Sequence, residues 1–132
     1  MGESGRTLAD AEADLERVER VASVGSFTWD FATGTVRWSA QTYRLLGLEP
    51  HTRKAGFEAL AEVLPAEEVK RMRARLEREL ATGICEPFEH PVTLPDGATR
   101  IVRVDSELER GGDGKILRMV GAIRDVTEQR RQ

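Results

Sequence analysis

Residues 87–126 read PFEHPVTLPDGATRIVRVDSELERGGDGKILRMVGAIRDV. Three runs alternate apolar and polar residues, separated by the turn signatures Pro95-Asp96-Gly97 and Gly111-Gly112-Asp113-Gly114. Alternation broken by tight turns predicts three consecutive antiparallel strands. Alternate side chains of a strand share a face. Phe88, His90, Val92 and Leu94 therefore share one face of the first strand, and Val102, Val104, Ser106 and Leu108 one face of the second. Leu117, Met119, Gly121 and Ile123 share one face of the third. Pro91 cannot donate a ladder hydrogen bond, which places its strand at an edge or marks a bulge.

Upstream, SFTWDFATGTVRWSA (26–40) reads as a hairpin: Phe27, Trp29 and Phe31 alternate, Ala32-Thr33-Gly34 turns, and Val36 and Trp38 alternate. Ser39 is placed to cap a short helix that Gly47 ends. Phe57 to Val63 predicts a short helical turn. Pro65 suits the first position of a longer helix with a buried stripe of Val69, Met72, Leu76 and Leu80, an ion pair Glu67–Arg71 and an end at Gly83. Its arginines interleave with Glu77 and Glu79 and read as a solvated face. At the N-terminus, Thr7 and Asp10 have capping-box spacing. Leu8, Ala11, Leu15, Val18 and Ala22 make an apolar stripe that must bury against the sheet or a second copy, and Gly25 is placed to stop this helix. Hairpins at both ends with helices between predict an α+β fold with an antiparallel sheet.

The chain has 132 residues, enough for one domain with one core. A net charge of −3 argues against a general nucleic-acid surface. A single cysteine, Cys85, excludes an internal disulfide and fits a reducing, cytoplasmic compartment. No apolar run nears the roughly 20 residues of a membrane span, so no direct membrane contact is expected.

VGSFTWDFATGTVRWSAQTYRLLGLEP (24–50), the turn PDG and VGAIRDVTEQ (120–129) together resemble the PAS sensor domain of bacterial signalling proteins. Asp125-Val126-Thr127 stands where that family usually has Asp-Ile-Thr at the exit of its last strand. Leu64-Pro65-Ala66-Glu67 departs from the family's usual His-Pro-Asp-Asp-like helix start, and Pro91 stands where a basic residue is common. The resemblance implies a five-stranded antiparallel sheet with helices on one face and the N-terminal amphipathic helix outside the core. It divides the chain into a dimerisation helix (1–23), a PAS domain (24–127) and the start of an output linker (128–132).

The resemblance also implies a cavity between sheet and helices. Strand parity gives Phe88, His90, Val92, Val102, Val104, Met119 and Ile123 as its ligand-binding residues, a lining suited to a small, mainly apolar ligand or to none. Flavin is disfavoured. Val92, Val102 and Ile123 stand where the light-sensing subclass has flavin-contacting amides, and Cys85 follows the long helix whereas that subclass's reactive cysteine precedes it. Haem through His90 is disfavoured because haem-binding relatives take their ligand from the helical side. The alternative for His90 is an imidazole bonded to a neighbour or lying at the rim.

Asp125 and Thr127 are expected to transmit signal, Asp125 by bonding backbone or an arginine such as Arg37, and Thr127 by capping the exit helix. Leu8, Leu15 and Val18 with the outer-face residues Ile101 and Val120 are expected to form a homodimer contact. No catalytic or metal-ligating motif is present, so the domain is not expected to be an enzyme; the resemblance implies a sensory module of a two-component or histidine-kinase type, with an effector expected beyond Gln132. A ligand-free protein-interaction module is the alternative. An α+β enzyme of the ketosteroid-isomerase type would need an acidic pair in the pocket, and strand parity supplies none.

Overall fold

A computed structural model describes residues 7–131. Residues 1–6 of the expected dimerisation segment and Gln132 of the expected linker lie outside them. In order, the elements are α1 (Leu8–Ala22), β1 (Val24–Asp30), β2 (Thr35–Trp38), α2 (Ala40–Leu45), α3 (Phe57–Leu60), α4 (Ala66–Thr82), β3 (Phe88–Thr93), β4 (Thr99–Arg110), β5 (Ile116–Asp125) and α5 (Thr127–Arg131). The strands form one antiparallel sheet in the order β2-β1-β5-β4-β3. The sheet and the helices between β2 and β3 enclose a core centred on Leu46, Val92 and Val102. Pro91 sits in β3, an edge strand, where its missing N–H costs no interior ladder bond.

The first helix carries the expected capping box, but it turns a different face inward. Its one buried residue is Glu19, whose carboxylate accepts from the Ser26 hydroxyl at 2.9 Å and the Ser39 hydroxyl at 2.5 Å. Ser39 in turn accepts from the Ser26 and Thr42 amides, and so caps α2. A buried carboxylate is stable only when its lone pairs are so met. The apolar stripe stays outside: Leu15 is 57% and Val18 62% exposed. Ser23, in the left-handed region at φ 55°, ends the helix in place of Gly25. Gly25 lies buried in β1, where a Cβ would come within 2.3 Å of the Thr42 hydroxyl oxygen and 2.7 Å of Thr42 backbone atoms. This close approach lets α2 lie flush on the sheet.

Helix α4 departs from expectation at four points. Pro65 is its N-cap rather than its first residue. The observed ion pair is Arg71–Glu68, not Glu67–Arg71. Its arginine face is not wholly solvated either, since Arg73 lies over the Phe57 ring and Arg75 over the Phe88 ring, each at 4.3 Å. Glu79, one residue short of the expected Leu80, is the buried member of the last turns.

Candidate ligand cavity and signal exit

Between the sheet and helices α2 to α4 lies a cavity of about 110 Å³. Of the residues expected around it, Phe88, His90, Val104, Met119 and Ile123 line it. Val92 and Val102 do not: both are fully buried in the sealed core. They point to the helix side of the sheet, but there they belong to the buried core cluster shared with Leu45 of α2, Leu60 of α3 and Val69 of α4. Sequence reasoning left out the rest of the wall. Phe27, Trp29, Val36 and Trp38 come from the first hairpin, and Met72, Arg75, Leu76 and Glu79 from α4. The hairpin's contribution had a sequence signal in Gly121. That residue pairs with Phe27 across the strands, and a Cβ on it would fall 2.3 Å from the Phe27 ring. A glycine inside an alternating strand marks room for a neighbour.

Thr42, Arg75, Glu79, His90 and Ser106 break the apolar lining, and two of them, Glu79 and His90, are buried with polar atoms unmet among the described residues. Glu79 is 6% exposed, and burial raises its carboxyl pKa, offset in part by Arg75. Its Oε2 has no hydrogen-bond partner among the described residues. Burial likewise raises the Cys85 thiol, next to Ser106 and Glu79, so this cysteine is a poor nucleophile. His90 is 4% exposed, and neither ring nitrogen has a partner among the described residues. Burial lowers its pKa against the opposing influence of Glu68. Its ring stacks on Phe88, centroids 5.4 Å apart, and Arg75 covers the same Phe88 ring.

The exit from β5 is held by a polar knot. Asp125 forms an ion pair with Arg100, Oδ2 to Nε 3.1 Å, and accepts from the Thr127 amide and hydroxyl at 2.8 and 2.5 Å. Arg100 also donates to the Leu45 and Arg44 carbonyls at the end of α2, at 2.7 and 3.1 Å. The partner is therefore Arg100, not Arg37; Arg37 is exposed on β2, away from this end of β5. Thr127 does not cap its own helix with its hydroxyl, which instead accepts from the Ile101 amide at 2.9 Å. Asp125 holds the first turn of α5 in its place. Farther along α5, Arg130 pairs with Glu89 of β3, and the guanidinium holds that carboxyl below its usual pKa.

The expected dimer residues divide. Ile101 is half-buried beside the start of α5, while Leu8, Leu15, Val18 and Val120 are exposed, so α1 does not cover the outer sheet within the chain.

Residues 35–123 match the family described as PAS fold. The chain belongs to this PAS family. A similar curated protein is a blue-light-activated histidine kinase of Brucella anthropi, 27% identical over 117 residues. The match takes in 89% of this chain and 23% of that protein, so the chain spans about a quarter of its relative's length. Among solved structures, a sensory box histidine kinase/response regulator from Burkholderia thailandensis superposes with a TM-score of 0.65 at 24% identity, covering 89% of this chain and 87% of that one. An RNA-binding light-oxygen-voltage receptor superposes with a TM-score of 0.69 at 22% identity, covering 80% of this PAS chain and 30% of the receptor. At these identities the superpositions establish the shared PAS fold. Among the described residues no helix is long and apolar enough to cross a membrane.

Proposed function

We propose that this PAS chain is a sensory domain of a cytoplasmic signalling protein. It binds a small molecule in the cavity and passes the resulting strain through Asp125 to α5 and an effector domain. The observation that carries the reading is the cavity itself, bounded by the sheet and α4 and reaching Ile123, two residues before Asp125 on β5. A ligand that displaces Met119 or Ile123 moves the strand whose end the knot holds. The kinase relative supports an effector of that class.

Against flavin stand the volume of about 110 Å³ and the absence of any cysteine ahead of α4. A cavity of roughly 150 Å³ admits only benzene-sized guests, well short of a tricyclic ring or a porphyrin. Protein purified from its own host should accordingly show no visible absorption band of protein-stoichiometric strength. A flavin or Soret band would overturn the small-ligand reading.

Val104→Phe should fill the space. It is expected to abolish uptake of small cavity probes and to cost on the order of 1–3 kcal/mol from overpacking. Unchanged uptake in a titration would place the binding site elsewhere.

Dimerisation is the second part of the proposal. Leu8, Leu15, Val18 and Val21 leave an apolar stripe on α1 exposed, and a second copy is the simplest cover for it. Leu15→Glu should then convert a wild-type dimer to monomer in sedimentation. A variant that sediments as wild type does would exclude this contact.

A further inference from the structure

We infer that the cavity's ligand is an uncharged molecule of about one ring that carries a hydroxyl or N–H group, held between Glu79 and His90. The inference rests on reading the cavity as a ligand site and specifies what the site selects. It departs from a purely apolar ligand because of where the unmet polar atoms lie. Glu79 Oε2 and both nitrogens of His90 are buried without partners among the described residues, and both side chains line the same cavity. They come from different walls, Glu79 from α4 and His90 from β3. A hydrocarbon guest would seal all three atoms away from any partner, which opposes binding. A hydroxyl can both donate and accept. It can therefore serve Glu79 as a donor, or either nitrogen of a neutral imidazole.

Size and charge narrow the class. A volume of about 110 Å³ leaves no room for a second ring beside the first. Phe27, Trp29 and Phe88 supply aromatic walls for that ring. Arg75 lines the cavity one turn before Glu79 and offsets its charge, so the wall demands no net charge of its guest. Burial keeps His90 from protonating readily, consistent with a neutral site.

The test compares toluene, phenol and benzoate, three probes on one ring, by calorimetric titration of the wild-type protein near pH 7. Transfer of apolar surface alone ranks toluene above phenol. Recognition by Glu79 and His90 reverses this order, and phenol is expected to bind at least about tenfold more tightly than toluene. His90→Leu and Glu79→Leu should each shrink that preference several-fold, and Glu79→Gln, which keeps the shape, serves if Glu79→Leu fails to fold. The wild-type ranking decides the matter without any variant. Toluene binding as tightly as phenol would overturn the polar selection while leaving the cavity a ligand site. Benzoate binding most tightly would overturn the uncharged class. No binding of any probe would overturn both this inference and the ligand-sensing reading beneath it, leaving water as the cavity's occupant.

Discussion

Gly25→Ala is expected to lower stability by about 3 kcal/mol or more, at the upper end of overpacking costs. The added Cβ would meet the backbone nitrogen and Cα of Thr42, each at 2.7 Å. Backbone cannot rotate out of the way as a side chain can, so α2 must lift from β1. Lifting α2 would also stretch the bond from the Thr42 hydroxyl to the Ser26 carbonyl, now 2.9 Å. Gly34→Ala is the control. Gly34 lies in the left-handed region at φ 73° with nothing within 4 Å of its added Cβ, so only conformational strain of about 1 kcal/mol is expected. Urea denaturation of the two variants separates these effects. A Gly25→Ala midpoint equal to that of Gly34→Ala would show that α2 does not press on the sheet.

Asp125→Ala is expected to cost less stability but more function. The change strips Arg100 of its carboxylate and leaves the Thr127 amide and hydroxyl without their acceptor. Both partners of the ion pair are about a quarter to a third exposed, so roughly 1–2 kcal/mol is expected after solvent screening. Output should suffer more, because the knot is the point where β5 hands over to α5. In a fusion to a kinase, Asp125→Ala should lose most of its stimulus-dependent change in activity while binding ligand within about threefold of wild type, a difference under 1 kcal/mol. Arg100→Ala should behave alike. If the fused Asp125→Ala protein keeps its full response, the knot is a strand-end cap and transmission runs by another route.

Much of the sheet was legible because a strand's side chains alternate with a period of two. That parity placed Phe88, His90, Val104, Met119 and Ile123 on the cavity wall. It failed for Val92 and Val102, since parity gives the side of a sheet but not how closely a helix packs on it. Buried acids were illegible for a different reason. Hydrophobic patterning assigns carboxylates to solvent, yet Glu19 and Glu79 are the residues their helices bury most deeply. Glu19 is stabilised by two hydroxyls that come from β1 and the loop before α2, distant in sequence. The choice of Arg100 over Arg37 was likewise hidden, because it depends on β4 lying beside β5 at its exit. The close contact of Gly25 with Thr42 has no local signature at all, and glycine at that point read as a helix stop.

Helix α2 has only six residues, about 9 Å of rise. At its front end, Ser39 is gripped by Glu19 of α1. At its back end, the Arg44 and Leu45 carbonyls are gripped by Arg100, which also holds Asp125 at the root of α5. The helices near the two ends of the chain are thus joined through one short tie rod, bolted by a carboxylate at one end and a guanidinium at the other. A pull on α1 reaches α5 along this rod, which also forms part of the cavity wall through Thr42 and Leu46. In a chain of linked sensors, such a rod would let an upstream neighbour's motion pass through to the next while the cavity stays empty.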